Sequence, residues 1–395
     1  MPIDLKKIPG KTELPIPPDK FRWLITILLC IVFGAVLVFS FWRENESTHT
    51  IWFWFCSLFV PFLISSMGYV FQLRRYENER DRVIWWNHLH QQQYDEQVAL
   101  GKLAMGVLAT TYITPVARNK LAAALLQGGS ELQPFFYPQY QRMLNTALIS
   151  PQLRDVSEDG YLRRMEQLLT DIIRQLQPEL EEFSGSLHIR IQHDGTLKNE
   201  TINTVWRRVC LSSFDDKNLT ICAESDGVMW IDKCLDCQES TLILSIEINL
   251  FLEPRDQQVE SVSAILLASP DWLTQHHVTP QSWIHRPVVM DEPGESVTTV
   301  TLWGNITTDL PWFFWRSQTQ SETLALVLQS MEQSGYMLSK KGDFVLDDTF
   351  GKLNSVVGNV ILICANEHAV KSNMAQWLLI NDKTTHMLIV HPVKP

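Results

Sequence analysis

Two apolar runs near the amino terminus constrain this chain more than any other feature. Trp23 to Trp42 is twenty residues without a formal charge, and Ile51 to Leu73 is twenty-three, interrupted only by Pro61, Gly68 and a few small polar residues. At about 1.5 Å per residue, each is long enough to cross a hydrocarbon core of about 30 Å. Buried helices of soluble proteins rarely run so far without charge, and these are bracketed by Arg22, Arg43, Arg74 and Arg75. Residues 21–75 are therefore read as a two-helix transmembrane hairpin with spans 23–42 and 51–73. The first run exceeds a signal-peptide core of about 7 to 15 residues, lacks a small-residue cleavage site and is followed by a second span, so it is not read as a cleaved leader.

Aromatic residues crowd the edges of both runs: Phe21, Trp23, Phe41 and Trp42 on the first, Trp52, Trp54, Tyr69 and Phe71 on the second. They fit a belt of amphipathic rings at the membrane interface, with Trp54 equally suited to packing between helices. Orientation follows from the basic residues. Lys6, Lys7, Lys11, Lys20 and Arg22 precede the first run and Arg74, Arg75, Arg80 and Arg82 follow the second, whereas the connecting loop has Arg43 beside Glu44 and Glu46. This places both termini in the cytoplasm. Neither span contains Asp, Glu, Lys, Arg or His, so the hairpin reads as an anchor in the lipid bilayer and not as a transport path.

Residues 1–20, rich in Pro and Lys, are expected to form a flexible cytoplasmic tail. Residues 76–184 read as a helical membrane-proximal region. It opens with a charged helical continuation carrying Trp85 and Trp86 at the interface or against the domain, followed by a buried or interfacial helix over 98–111. Helices are also expected over 115–127 and 138–149, and a clear amphipathic one over 158–183, which Pro178 should end or kink. From Ser186 the period changes to two. Leu187, Ile189 and Ile191 alternate with His188, Arg190 and Gln192, a half-buried strand with a polar face. Strands are expected at 219–223, 228–231, 242–252, 261–268, 297–303, 357–365 and 387–390, with helices near 205–209, 322–333 and 369–379. The fold class is α+β or α/β: the hairpin, a helical segment, then a mixed α/β cytoplasmic domain over 185–395 with no internal sequence repeat.

Residues 83–395 hold 23 of the 33 Lys and Arg but 36 of the 44 Asp and Glu, a net charge of −13. Such a surface repels phosphate backbones, which excludes nucleic acid as the expected partner. Outside the spans the five cysteines, Cys210, Cys222, Cys234, Cys237 and Cys364, are odd in number and fit reduced thiols in the cytoplasm. The spacing Cys234-Leu-Asp-Cys237 suits zinc or a redox pair, yet a structural zinc site needs two more ligands, and Cys222 with His188 or His193 would have to converge on it. Incidental cysteines are the preferred reading, so no metal or cofactor is assigned. His276, His277 and His285 read as a polar loop, and Asp347-Asp348 as a solvated one. The chain has no nucleophile elbow, phosphate loop, metalloprotease helix or dinucleotide fingerprint, so no catalytic residue is assigned. Trp303, Trp312, Phe313, Phe314 and Trp315 form an aromatic cluster, read as buried core or as a docking surface for a partner or the membrane face.

Two resemblances add to this. Ser263-Ala264-Ile265-Leu266-Leu267 before Pro270, with His285-Arg286-Pro287 and Gly358 further on, resembles the C-terminal half of thiolase-like condensing enzymes. The nucleophilic Cys and two His that such enzymes use find no counterpart, Cys210 lacking a Gly-rich setting, so the resemblance implies a thiolase-like fold that has lost its chemistry. The hairpin followed by Val83-Ile84-Trp85-Trp86 and the stretch 98–115 is similar to membrane-anchored accessory proteins of bacterial type VI secretion systems, which implies a Gram-negative inner membrane and a protein partner. The leading expectation is a non-enzymatic inner-membrane accessory protein that presents an acidic domain to secretion-system components. The alternatives are an immunity protein that neutralises a basic toxin, or a membrane-tethered enzyme with an unrecognised site.

Overall fold

The computed structural model describes residues 3, 5–42, 47–137, 141–150, 157–183, 186–210, 218–223, 227–237, 239–338 and 342–393. The loop charges at 43, 44 and 46 and the expected boundary near 185 lie outside them. The chain divides into two units, Ile3–Gln97 and Val98–Pro395 apart from its first two residues.

In the first unit, Asp19 caps α1 (Lys20–Phe41) by accepting from the Phe21 and Arg22 amides. After the loop, α2 (Ile51–Trp54) passes through a π-helical turn, Phe55–Phe59, into α3 (Val60–Gly101). The wide turn ends beside Pro61, whose missing amide and ring would break a regular helix at that point. The two helices meet along their length. Trp42 meets Phe53 edge-on at 5.0 Å, Trp23 meets Tyr69 at 5.6 Å, and a Cβ on Gly34 would fall 2.2 Å from Pro61 Cγ. Two helices, Lys20–Phe41 and Ile51–Gly101, are long and apolar enough to cross a membrane, and α1 buries none of its side chains. The leading tail is tied to α3: the Thr12 amide and carbonyl pair with the Asn87 side chain at 2.9 Å each, and His90 Nδ1 donates to the Pro9 carbonyl at 3.1 Å.

The second unit begins with β1 (Ala104–Ile113), α4 (Leu121–Leu126), the hairpin β2 (Gln133–Tyr137) and β3 (Arg142–Ala147), and α5 (Glu158–Glu182). Next come β4 (Leu187–His193), α6 (Asn199–Val209), β5 (Leu219–Cys222), α7 (Trp230–Cys237), β6 (Leu242–Asn249), β7 (Gln258–Val259) and β8 (Ser261–Ala268). The remainder is α8 (Pro270–His276), β9 (Ser282–His285), β10 (Val288–Val289), α9 (Pro293–Gly304), β11 (Trp312–Ser317), α10 (Ser321–Gln333), β12 (Asp343–Val345), α11 (Leu346–Thr349), α12 (Gly358–Ser372), β13 (Ala375–Asn381) and β14 (Thr385–Pro392).

These strands form a duplication. The main sheet runs β12-β11-β13-β14-β9-β1-β8-β6-β4-β5, joined in the middle where β1 and β9 pair antiparallel. Numbered one to five in chain order, β1, β4, β5, β6 and β8 lie in the order 3-2-4-5-1, and so do β9, β11, β12, β13 and β14. In each half the fifth strand is antiparallel to its neighbours and the second, third and fourth are parallel.

Helices α5 and α6 cover one sheet half, burying Leu169, Ile172 and Trp206 against Ile189, Ile191 and Ile246. Helices α9 and α10 cover the other, burying Val300 and Met331 against Phe314 and Trp377. Between the inner faces lie α7 and α12, with Ile231, Ile361 and Ile363 packed against Ile243, Trp315 and Ile380. The result is a five-layer α/β domain whose middle layer is helical.

Several expectations are corrected. The segment 98–111 divides between the end of α3 and the central strand β1, and 138–149 contributes β3, so the α/β domain starts well before 185 and the expected helical region is not all helical. The apolar run 357–365 is the helix α12 and not a strand, 297–303 belongs to α9, 369–379 runs into β13, and 228–231 leads into α7. The runs 357–365 and 228–231 are buried on all sides or nearly so, which removes the periodicity that separates helix from strand. Pro178 sits inside α5 without ending it. Asp347 is not a solvated loop residue. It opens α11, accepts from Ser317 Oγ at 2.8 Å and from the Gln318 amide, and burial pushes its carboxyl upward.

His285 in β9 supplies a pH test. Burial, and then the His391 ring 5.3 Å away, push its pKa down to about 3. The unfolded chain takes up that proton near pH 6.5, so this contribution to stability is complete above about 6.5 and is lost as pH falls from 6.5 towards 3. Unfolding free energy measured against pH is expected to drop by a few kcal/mol over that window, and His285→Phe to flatten the drop. An unchanged profile in the variant would refute the assignment.

Candidate active site

The two faces of the first sheet half differ in kind. Ile189, Ile191, Leu244 and Ile246 point outwards to α5 and α6. The alternate residues point inwards, and the register sets Arg190 beside Ser245 and Thr220, and Gln192 beside Glu247 and Cys222. The polar face expected to meet water is buried. Arg190 is 9% exposed, Glu247 2% and Gln192 0%.

The groups on that face satisfy one another. Arg190 donates to Gln192 Oε1, lies 3.8 Å from Glu247 Oε1, and holds its guanidinium 4.9 Å from the Trp230 ring centroid. Glu247 Oε2 accepts from the Asn359 amide at 2.8 Å, at the start of α12. Asn359 Nδ2 donates to the Ser245 carbonyl at 2.9 Å, Ser245 Oγ donates to Asn359 Oδ1 at 3.0 Å, and Gln192 Nε2 reaches the Ser355 carbonyl at 2.5 Å. A Cβ on Gly358 would stand 2.8 Å from Glu247 Oε1, so glycine is what lets the carboxylate reach the end of the helix. Nearby, His386 Nδ1 donates to the Thr384 carbonyl, which leaves Nε2 to accept from the Val228 amide at 3.3 Å. Gly227, at φ +58°, passes so close that a Cβ would lie 2.1 Å from the His386 ring.

The duplication supplies an internal control. The fourth residues of β4 and β6 are Arg190 and Ser245, and those of β11 and β13 are Trp315 and Leu378, paired in the same register. Glu247 corresponds likewise to Ile380, and His188 to Phe313. The inner face of β11 and β13 keeps polar groups in Gln376 and Ser317, both buried, but holds no charge at these matched positions, so the architecture does not require the charges of the first half. A buried ion pair costs several kcal/mol of desolvation per ion, and here it is confined to one of two equivalent positions.

A cavity of about 490 Å³ opens onto this wall. Arg190, Trp230, His188, Cys222, Cys234 and Cys237 line it, Lys233 and Lys383 bring positive charge, and Glu239 brings negative charge. The convergence weighed for zinc therefore occurs in part: Cys222, His188, Cys234 and Cys237 line one cavity, whereas His193 instead bonds Asn199 Oδ1 at 2.7 Å. Among the described residues no three His, Cys, Asp or Glu stand close enough together to hold a metal ion. The structure sets thiols beside Arg190, Lys233 and Lys383 in one cavity, a setting for attack on a carbonyl whose oxygen gathers negative charge.

The other candidates fall elsewhere. Trp303, Phe313, Phe314 and Trp315 are buried and Trp312 is half-buried against Trp377, so this cluster is core and not a docking surface. Trp52, Trp54, Trp85 and Trp86 are exposed along the second long helix with Arg74 and Arg75, while Trp23 and Trp42 pack within the hairpin. His276 stacks on Trp272 at 4.2 Å and His277 caps α8, so they form no site. Sequence reasoning missed Arg190, Ser245, Glu247 and Asn359 as a group. The one signal available was Glu247, a lone carboxylate within the apolar run 242–252.

No family model and no curated protein matches this chain. Solved structures do. A chain from a type II PKS complex of an acyl-carrier protein with its ketosynthase matches at 8% identity and TM-score 0.50, over 74% of this chain and 100% of that one. The ketosynthase from module 1 of the bacillaene synthase of Bacillus amyloliquefaciens FZB42 matches at 10% identity and TM-score 0.50, over 74% and 76%. At such identity the likeness is one of fold, and the domain is a mixed α/β thiolase-like domain preceded by the N-terminal helices. This overturns the expectation of a non-enzymatic accessory or immunity protein, because the fold it shares is that of condensing enzymes. Nothing in the comparisons supports the resemblance to type VI secretion proteins.

Proposed function

We propose that this chain is a membrane-tethered acyl-transfer enzyme on a thiolase-like scaffold, taking an acyl thioester into the cavity beside Arg190. The observation that carries this reading is the charged inner face of one sheet half, with Cys222 on the same face and Cys234 and Cys237 lining the same cavity, where the matched positions of the duplicated half are uncharged. Cys222 is the nucleophile we assign. It ends β5, on the same face as Arg190 and Gln192, where ligand sites of α/β sheets gather beyond the carboxyl ends of parallel strands. Cys237 is exposed on α7. The Cys222 sulfur attacks the thioester carbonyl, the bond to the carrier sulfur breaks, and the Cys222 proton leaves with the carrier thiol. The product is an acyl-Cys222 thioester, with no change of oxidation state. Arg190, Lys233 and Lys383 favour the oxyanion that forms on the way.

Octanoyl-N-acetylcysteamine tests this by intact mass. The full-length protein is expected to gain one octanoyl group, Cys222→Ala none, and Cys234→Ala and Cys237→Ala the same as the parent. No adduct on the parent protein, or an adduct that survives Cys222→Ala, would overturn it.

The hairpin, by this reading, holds the enzyme in a bacterial inner membrane with both termini on the cytoplasmic side and acyl groups of the bilayer close by. The excess of Lys and Arg at the outer ends of the two runs supports that orientation. A green fluorescent protein fused after Pro395 is expected to fluoresce. A fusion to alkaline phosphatase that is active at the same position would contradict it.

A further inference from the structure

We propose that a second cavity, at the carboxyl end of α12, binds a small amphipathic anion that carries a hydrogen-bond donor. It measures about 640 Å³, within the range of about 300 to 1,000 Å³ typical of small-molecule sites, and lies between α4 and the last two turns of α12. From Asn359 to Lys371 the helix rises about 18 Å at about 1.5 Å per residue, so this cavity is separate from the wall beside Cys222 and does not rest on the acyl-transfer reading.

Its hydrogen-bonding character is set from behind. Gln376 is fully buried, and its Nε2 donates to the Met374 carbonyl at 2.7 Å, which fixes the orientation of the amide. Its Oε1 therefore accepts twice, from Trp315 Nε1 at 2.9 Å and from His368 Nδ1 at 2.8 Å. The His368 proton is thus on Nδ1. Burial lowers the pKa of this ring, which keeps it neutral at pH 7. Nε2 then carries a lone pair. It is not among the buried polar atoms without a partner, and no hydrogen bond occupies it among the described residues, so it is open to the cavity that His368 lines.

The charges complete the description. Glu367 also lines the cavity, but both its oxygens are engaged, Oε1 by the Tyr112 hydroxyl at 2.5 Å and Oε2 by the Ala122 amide at 2.9 Å. Lys120 and Lys371 stand exposed at the rim. Lys120 is held in left-handed backbone at φ +54°, a conformation that costs a lysine about 1 kcal/mol or more and collects at binding sites. Ala122 and Ala123 give the apolar wall. A ligand that matches this has an anionic end for the lysines, a short hydrocarbon body along α4, and a hydroxyl or N–H for His368 Nε2.

The probe is 3-hydroxyoctanoate, titrated calorimetrically into the full-length protein in nanodiscs and into empty nanodiscs. Saturable binding at one site is expected. Filling the cavity with Ala123→Trp should abolish it, and Lys120→Glu with Lys371→Glu should weaken it at least tenfold. Octanoate, without the hydroxyl, should bind about tenfold more weakly to the parent, and His368→Phe should remove that difference between the two acids. The circular dichroism spectrum and cooperative urea unfolding of Ala123→Trp should match the parent's, which reports that the variant is folded. Absence of saturable binding, or binding that Ala123→Trp leaves intact, would overturn the proposal, as would equal affinity for the two acids.

Discussion

Glu260→Ala is expected to cost about 3 to 5 kcal/mol of stability, the range for removing one partner of a buried, hydrogen-bonded ion pair. Glu260 is fully buried and Arg164 is nearly so. Its Oε1 accepts from the Phe251 amide at 3.0 Å and Arg164 Nη1 at 2.8 Å, and its Oε2 from the Ile149 amide at 2.8 Å and Arg164 Nη2 at 2.6 Å. Arg164 Nη2 also donates to the Ile149 carbonyl at 2.6 Å. One carboxylate therefore joins α5, the end of the segment after β3, and the turn after β6. Alanine would leave a buried guanidinium unneutralised and two backbone amides unpaired, and each such amide costs about 1 to 3 kcal/mol. Glu260→Gln keeps the volume and part of the hydrogen bonding, and should lose roughly half as much. Urea unfolding of the full-length protein followed by tryptophan fluorescence checks this through a lowered midpoint at constant slope. A loss below about 1 kcal/mol would mean that water reaches the pair.

The hairpin, the helix 158–182 and the strands β4 and β8 were legible because each has a period or a length that only one structure satisfies. Leu162, Met165, Leu169, Ile172 and Leu176 repeat at three and four, and Ser157 caps the helix they form by accepting from the Gly160 amide at 3.1 Å. The stretch 357–365 was not legible. Every side chain from Gly358 to Asn366 is buried, and a segment with no outside has no pattern to separate helix from strand. The duplication was invisible for a related reason: what the halves share is strand order and direction, whereas matched positions such as Arg190 and Trp315 have nothing chemical in common.

The same difference hid the candidate site. The alternation of β4 correctly gives a strand, and its polar face reads by default as solvent-exposed. Nothing local reveals that α7 of the same half and α12 of the second half fold over that face. Glu247 alone broke the apolar run around it. Cys234 and Cys237 drew attention through their spacing, yet the structure gives more weight to Cys222, which has no motif and is placed by its register beside Gln192.

By the proposed reading, the charged inner face of the first half serves acyl transfer and not architecture. Pairing Arg190→Met with Glu247→Leu tests it most directly. Glu247→Leu alone leaves Arg190 and the Asn359 amide without their carboxylate and should cost about 3 to 5 kcal/mol, whereas the double variant, uncharged like the matched positions of the second half, should recover to within about 1 to 2 kcal/mol of the parent. The measurement is the rate at which octanoyl-N-acetylcysteamine acylates the folded double variant. A fall of at least a hundredfold is expected, and an unchanged rate would mean that the charged face plays no part in acylation.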